Sequence, residues 1–591
     1  MRWRDLGAGE LSREHVGERH SLAGWVARRR DHGGLVFIDL RDSTGVGQLV
    51  VNPERSPAAA AAAHDTRNEF VLRATGEVAA RAPENVNPNI PTGEVEVQVD
   101  ELEVLSTSPP LPFQLDEENV DETLRIRYRW LDLRRERLQR NLRLRAHMVS
   151  IIRRVMEEAG FLDIETPILF KPTPEGARDF LVPSRLQPGK FFALPQSPQI
   201  LKQLLVIAGF ERYYQIARCF RDEDLRADRS HELTQLDVEM AFPDVEFIIA
   251  LMERMVQSIW HETIGVELEI PFQRLTYAES MLRYGTDKPD LRFGLEIEDA
   301  TGLTRGSQFK VFADAPAVRY LTVPQEYSRA DLEKLEEFAK EWGAKGLAYI
   351  VYGEDGEPRS PIAKFLSEQE MAAFRADPGS TVLFGADEPE QVARVLGALR
   401  NRLGRELGLV DEDAFRWVWI TDFPMFHWSE EEEGWTAVHH PFTRPTPESE
   451  PMLEKDPGRA TAVAYDLVGN GEELGGGSLR IHESELQARV FDILRISPEQ
   501  QKERFGFLLE ALNMGAPPHG GIAFGIDRML MVLAREPNLR DTVAFPKNQA
   551  GFDPMSGAPS DVPKEQLDEL GIQLKAARRP PVEARTDDTD S

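Results

Sequence analysis

The sequence predicts a multidomain α+β protein: a small N-terminal β-barrel of Greek-key OB type followed by a larger body of mixed α/β segments. Three observations lead there. The chain has 591 residues, room for about four domains at ~150 residues each. Its first hundred residues carry short strand-like runs, with period-2 alternation clearest at 94–99. Beyond a proline-rich break the apolar period changes from 2 to that of a helix.

Residues 22–30, 35–40 and 47–51 read as strands, and Glu94 to Val99 alternates apolar and polar, the signal of a half-buried strand. Pro57 followed by six alanines, Ala58 to Ala63, reads as a short surface helix. Short strands with one helix in so small a span suit an OB barrel over 1–105. Residues 106–112, rich in Ser and Pro, open a stiff linker or hinge taken as 106–140. Met148, Ile151, Ile152, Val155 and Ala159 recur at helical spacing up to Gly160, an amphipathic helix opening the main body. A mixed α/β stretch follows at 141–287, another mixed segment at 288–415, and strand-rich character returns over 416–560. Residues 561–591 read as a frayed C-terminal extension.

Charge and composition exclude several classes. Lys plus Arg is 70 against 100 for Asp plus Glu, a formal charge of −30, with 41% apolar and 29% charged residues. This is a folding composition, and its sign argues against indiscriminate nucleic-acid binding while leaving room for a local basic face. No run approaches the ~20 apolar residues of a membrane span. The first residues lack the apolar core of a secretion signal. A single cysteine, Cys219, excludes an internal disulfide framework and reads as a buried thiol. The expectation is a cytoplasmic protein.

There is no G-x-x-x-x-G-K-[ST] loop and no G-x-G-x-x-G after a strand. Taken alone, the glycines at 475–477 and 520–525 read as turns or close strand packing. His439 and His440 lack the further ligands of a zinc site. The run Glu430 to Glu433 reads as a solvated loop.

Three segments change the reading when taken together: 161–167, which follows the amphipathic helix; 218–239, with Arg218, Arg221, Arg226 and Arg229; and 521–528, which opens a helix. In order and spacing they resemble the three signature motifs of the class II aminoacyl-tRNA synthetases. Residues 173–179, 196–202, 439–442 and 475–482 are similar to the aspartyl-tRNA synthetases of that class. The likeness runs over nearly the whole chain and makes the segment 288–415 an inserted α/β domain characteristic of the bacterial form, between catalytic parts at 141–287 and 416–560. It implies an antiparallel-sheet catalytic domain and an anticodon-binding OB domain. The implied reaction ligates L-aspartate to tRNA through an aspartyl-adenylate, with ATP as substrate and Mg²⁺ as cofactor.

The resemblance also implies roles. Arg480 would fork onto the substrate side-chain carboxylate with Lys202 beside it, as a planar guanidinium suits a carboxylate. Glu175, Gln199 and Asp237 would hold the amino end, and His439 would close over the substrate. Arg221 and Arg528 would be the catalytic cations, on the α- and γ-phosphates. Asp222, Glu223, Glu473, Gly525, Ile526 and Asp527 would complete the ATP site, and Asp466 and Glu473 would carry Mg²⁺. Two positions depart from the family pattern: Leu233 stands where an aromatic residue usually stacks on adenine, and Ser230 replaces a common Gln. Class II enzymes of this group are usually homodimers through the first motif.

At the RNA end, Arg28, Arg29 and Arg30 offer phosphate contacts, Phe37 a stacking platform and Gln48 a base-edge contact. Phe37 alone would read as core; the family context favours stacking. Relatives that charge both tRNA(Asp) and tRNA(Asn) often carry His after Arg-Arg-Arg-Asp, and this chain has His32 there. A short loop with Glu84 stands where strict enzymes tend to have a longer one. The implied enzyme is non-discriminating, with an amidotransferase acting downstream. The alternatives are a strict aspartate enzyme, an asparaginyl or lysyl relative, and a non-catalytic RNA-binding paralogue.

Overall fold

Alternation at period 2 closes the N-terminal strands on themselves. In the computed structural model, which describes residues 3–172 and 177–575, Arg19–His32, Leu35–Arg41, Val46–Val51, Val71–Ala80 and Val95–Ser106 form a closed barrel. The fifth strand lies between the third and fourth. Leu22, Val26, Ile38, Leu40, Leu49 and Val97 fill it. The strand Val71–Ala80 is absent from the sequence expectation. Its inward residues are Leu72, Ala74, Gly76 and Val78, and small side chains hide the alternation. Gly76 is obligatory there: a Cβ would lie 2.2 Å from the Gln98 carbonyl oxygen. The alanine run is the helix Pro57–His64, with Ser56 Oγ accepting from Ala59 N. It is more than a surface helix, because Ala59 and Ala63 are buried against the barrel.

The chain divides into two compact units, the second beginning at Asp121. Residues 121–135, expected in the linker, are instead helical (Glu122–Arg127 and Arg129–Asp132). Asp132, fully buried, accepts from Arg125 (3.1 Å) and Arg129 (2.7 Å) and pairs with Arg135 (2.8 Å). Arg129 also donates to the carbonyls of Arg540, Val543 and Ala544. A buried charge requires such partners, and these lie far along the sequence, out of reach of a local reading. The amphipathic helix likewise starts earlier than expected, spanning Glu136–Glu158.

An eight-stranded sheet organises the second unit. Its order is Gln273–Thr276, Trp417–Thr421, Ala464–Gly469, Glu472–Leu479, His519–Gly525, Glu232–Ala241, Arg212–Phe220, Leu162–Asp163. All pairings are antiparallel except the outermost one at each edge. Helices Glu136–Glu158, Val245–Ile264 and Ile526–Ala534 pack on one face, sharing a core with Leu236, Val238, Leu467 and Phe524. Along Glu232–Ala241 the alternate residues Gln235, Asp237 and Glu239 therefore face the opposite side. The expected antiparallel catalytic sheet is borne out.

Between Thr276 and Trp417 the chain builds a separate five-stranded antiparallel sheet: Ile297–Asp299, Ala317–Val323, Thr381–Asp387, Ala348–Tyr352, Pro358–Arg359. Helices Arg329–Glu341 and Pro389–Glu406 bury Leu332, Leu335, Leu396 and Leu399 against it. The C-terminal extension contains a short helix, Lys564–Leu570. No described helix is long and apolar enough to cross a membrane.

Candidate active site

The polar face of the eight-stranded sheet lines a cavity of about 210 Å³. Of the residues expected to bind ligands, it gathers Gln199, Lys202, Arg221, Asp237, His439, Asp466, Glu473 and Arg480. Gln199 and Lys202 project from the helix Gln199–Ile207, Asp237 from the motif-2 strand, and Asp466 and Glu473 from neighbouring strands. Gly476 makes room for Asp466, its cross-strand partner: a Cβ there would lie 2.6 Å from Asp466 Oδ1. The glycine run at 475–477 is thus close strand packing at the site.

One end of the cavity is a buried chain of charges. Lys202 Nζ donates to Asp237 and lies 3.3 Å from Glu239 Oε2. Arg480 gives its Nε and Nη2 to Glu239 at 2.9 and 3.1 Å, and its Nη1 to Ser478 and, at 2.7 Å, to His440 Nε2. Lys202, Asp237, Glu239 and Arg480 are all at most 3% exposed. Burial pushes the Asp237 carboxyl above its ordinary range, against the pull of Lys202. Burial also opposes ionisation of Glu239, but Arg480 and Lys202 outweigh it and hold that carboxyl low. Glu239 was assigned no role from the sequence, yet it sets the orientation of Arg480. Four of the five N–H groups of the guanidinium are therefore engaged with protein, and the free two-pronged fork expected from the sequence is not present: one Nη2–H is left.

The other end is built on carboxylates. Asp466 is 6% exposed; burial, with Glu473 and Asp287 adding negative charge, raises its carboxyl well above the usual range. Burial opposes the charge on Glu473 too, but Lys288 and Arg528 keep that carboxyl low. Arg528 Nη1 donates to the Glu473 carbonyl at 2.7 Å and Nη2 lies 3.4 Å from Asp228. Desolvation, with Arg480 adding to it and Glu473 opposing, pushes His439 down to about 4; its ring stands edge-on to Phe423. Arg221 lines the cavity and, among the described residues, carries no ion pair, while its backbone N–H is fixed by the His231 carbonyl.

Four side-chain atoms of this cavity are buried with no hydrogen-bond partner: Gln199 Nε2, Asp237 Oδ2, His439 Nε2 and Asp466 Oδ1. Buried polar atoms are normally satisfied. Four unsatisfied ones around a single space mark it as built for a polar ligand. Asp466 and Glu473 are hard oxygen donors, and Mg²⁺ needs only one or two carboxylates beside substrate phosphates, so the pair fits that ion.

Other expected residues stand elsewhere. Asp527 accepts from Arg145 and from Thr234 N (2.8 Å); it ties the third-motif helix to the second-motif strand. Ile526 is fully buried in the core, and Gly525 caps its helix. Glu223 lies 3.4 Å from Arg229, and Asp222 N bonds the Arg178 carbonyl. Glu175 lies outside the described residues. Leu233 pairs across the hairpin with Cys219, whose buried thiol faces Gln235. Glu430 to Glu433 are exposed and form the turn of a hairpin. Lys288 and His440 were missed. His440 lines the cavity and Lys288 pairs with Glu473 at its wall, both from loops, which carry no periodic signal.

On the barrel, Arg28, Arg30 and Phe37 fall on one outward face by strand register: Arg30 opposes Phe37, and Asp39 opposes Arg28. Gln48, which also opposes Asp39, is buried, so its expected base-edge contact is not exposed here. Arg30 and Gln48 both donate to Asp39, at 2.8 and 3.3 Å. Phe37 stands between buried Val36 and Ile38 and so points outward. Arg29 does not join this face. It opposes Ile38, and its Nε donates to the Ala63 carbonyl at the end of the alanine helix (3.0 Å). The His32 ring lies 5.8 Å from that of Phe37, edge-on. Glu84 is exposed in the short turn Pro83–Asn85.

Comparison with known proteins adds to this geometry. A family profile described as "tRNA synthetases class II (D, K and N)" matches residues 121–549, and one described as "OB-fold nucleic acid binding domain" matches 20–105. Proteins named aspartate–tRNA(Asp/Asn) ligase from Syntrophotalea carbinolica and Moorella thermoacetica are 50% and 51% identical. Each alignment spans 96–97% of this chain and 97% of the relative. One named aspartate–tRNA ligase from Streptococcus pneumoniae is 50% identical over 97% of this chain and 98% of its own length. The asparaginyl-tRNA synthetase of Pyrococcus horikoshii complexed with asparaginyl-adenylate shares the fold, with a TM-score of 0.59 at 18% identity. That match covers 92% of this chain and 97% of the other. The chain belongs to the class II aminoacyl-tRNA synthetases, in the group that comprises the aspartate, lysine and asparagine enzymes.

Proposed function

We propose that this enzyme ligates L-aspartate to tRNA(Asp) and to tRNA(Asn), in two steps at the cavity described above. The observation that carries the amino-acid assignment is the buried Lys202–Arg480 pair, held in register by Glu239. Two desolvated cations suit a substrate with a second carboxylate; asparagine and lysine lack that charge.

The substrate α-carboxylate is already ionised and needs placement rather than a base. Held by Arg480 and Lys202 at one end and by Gln199 and Asp237 at its amino group, it is aimed at the ATP α-phosphorus. The new carboxyl–phosphorus bond forms as the bond to pyrophosphate breaks, and Arg221 stabilises the charge on the α-phosphate oxygens. Arg528 supports the departing end. Asp466 and Glu473 would hold Mg²⁺, which when bound neutralises phosphate charge. His439, uncharged at neutral pH, covers the substrate without adding a competing cation. The terminal adenosine hydroxyl of the tRNA then attacks the aspartyl carbonyl, and AMP leaves.

The barrel face of Arg28, Arg30 and Phe37 supports anticodon binding. His32, seated against Phe37, supports the relaxed tRNA choice, with an amidotransferase converting the mischarged product. The Streptococcus pneumoniae relative, equally similar and named without the Asp/Asn qualifier, is the case for a strict enzyme. Exposed Leu162 in the first motif, with exposed Ile168 and Leu169 just after it, supports a homodimer through that segment. Its substrates place the enzyme in the cytoplasm.

Pyrophosphate exchange with aspartate, asparagine and lysine tests the amino-acid assignment. Exchange with aspartate alone is expected; exchange with asparagine at a comparable rate would overturn it.

A further inference from the structure

Lys288 approaches Glu473, a residue of the cavity wall, from outside the catalytic sheet. It stands on the loop that leads into the inserted module, and its Nζ lies 2.7 Å from Glu473 Oε2. On the opposite side, Arg528 holds the Glu473 main-chain carbonyl. Glu473 is thus clasped between two cations at the end of the cavity assigned to the ATP polyphosphate. A nucleotide with four negative charges would gain a further cation there beside Arg221, which lines the cavity, and Arg528, which holds its Glu473 wall.

The loop bearing Lys288 is fixed by the module's long helix, Pro389–Glu406. Gly285, at φ +69°, lies directly on that helix: a Cβ on it would come 2.2 Å from the Ala393 carbonyl oxygen. A Cβ on Gly397 would come 2.6 Å from the Gly285 oxygen. Only two glycines permit this backbone-on-backbone contact. Arg400, fully buried on the same helix, donates to the carbonyls of Asp290 (2.9 Å), Phe293 (3.1 Å), Gly294 (3.0 Å) and Leu295 (3.0 Å). Its guanidinium also lies over the rings of Phe293 and Tyr284, 4.1 and 4.9 Å from their centroids. Within the loop, Lys288 N bonds Thr286 Oγ1 at 3.1 Å, and Ser280 Oγ holds the Thr286 carbonyl at 2.6 Å. A buried arginine devoted to four main-chain carbonyls is a device for holding a loop in place.

We propose that Lys288 is a residue of the nucleotide site, seated there by the inserted module: it fixes the Glu473 carboxylate and supplies a further cation to the ATP polyphosphate. This rests on the reading that the Asp466–Glu473 end of the cavity takes the nucleotide. It gives the insertion a part in catalysis, namely delivering a charged side chain that the catalytic sheet does not itself carry.

The test is calorimetric binding of a non-hydrolysable ATP analogue, with Mg²⁺ and with chelator, and of aspartate separately. The proteins are the intact enzyme and its K288Q, K288R, G397A and E473Q variants. K288Q is expected to weaken the analogue by about tenfold or more, with and without metal, the scale of one charge-assisted contact. Aspartate affinity should stay within about twofold, and K288R should recover most of the loss. G397A, which displaces the loop and leaves every charge in place, should weaken the analogue in the same sense. Analogue binding by K288Q within about twofold of the intact enzyme would overturn the proposal. So would a parallel loss of aspartate binding, which would make Lys288 a structural tie between module and sheet. If E473Q itself leaves analogue binding unchanged, the fault lies in the site reading on which the proposal rests.

Discussion

Arg480 shows how a single side chain is made specific. Its Nε and Nη2 are taken by Glu239 and its Nη1 by Ser478 and His440, so the guanidinium is oriented before any ligand arrives. Lysine cannot reproduce that set of directed donors. R480K is expected to raise the aspartate KM in pyrophosphate exchange by about ten- to a hundredfold, the scale of one or two charged hydrogen bonds, with the ATP KM little changed. An equal rise in both would contradict the assignment. E239Q should shift the same constant in the same direction, because it frees the guanidinium to turn.

His440 gives a pH signature at the same scale. Burial, together with Arg480 beside it, holds its pKa well below 6.5. The unfolded chain therefore binds a proton near pH 6.5 that the native chain does not. The resulting stabilisation is complete above that pH and is lost as the pH falls below it. Urea unfolding at pH 7 and pH 5 should show this as a loss of stability that H440N partly abolishes. An identical pH dependence in the variant would mean that His440 titrates as it does in water.

Among the elements, helix Arg129–Asp132 and the segment 536–544 are held together by buried charge. Asp132 faces Arg125, Arg129 and Arg135 with no exposure of its own. Removing one partner of such a cluster strands the others, at a cost of about 3–5 kcal/mol. D132N should therefore lower the thermal midpoint measurably, whereas the exposed pair Arg329–Glu333 should be removable with almost no effect.

These elements also show what the sequence made legible. Strands whose inward residues are Val, Ile and Leu were visible by period. Val71–Ala80 was not, because Ala74 and Gly76 carry the inward positions and mute the alternation. The helices after Asp121 were read as linker because their stability comes from Asp541 and other acceptors remote in the sequence. At the site, the motifs led to the residues lining the cavity. Roles that depend on three-dimensional direction were legible only in the structure: Arg29 turned to the Ala63 carbonyl, Asp527 turned to Thr234, and Lys288 arriving from the insertion.

Under the proposed function, amino-acid activation and tRNA reading fall to different parts of the chain. The cavity and the Phe37 face belong to different compact units. F37A should thus leave pyrophosphate exchange unchanged while weakening tRNA binding about ten- to a hundredfold, the scale of one base–aromatic stack. His32 touches that same ring. H32L should therefore alter the ratio of charging between two tRNAs whose anticodons differ at one position, and leave the aspartate KM where it was.

The most direct measurement is aminoacylation of purified tRNA(Asp) and tRNA(Asn) transcripts with labelled aspartate, side by side. Charging of both at comparable kcat/KM is the predicted result. Charging of tRNA(Asp) alone would contradict the relaxed specificity assigned to His32, and charging of neither would contradict the ligase itself.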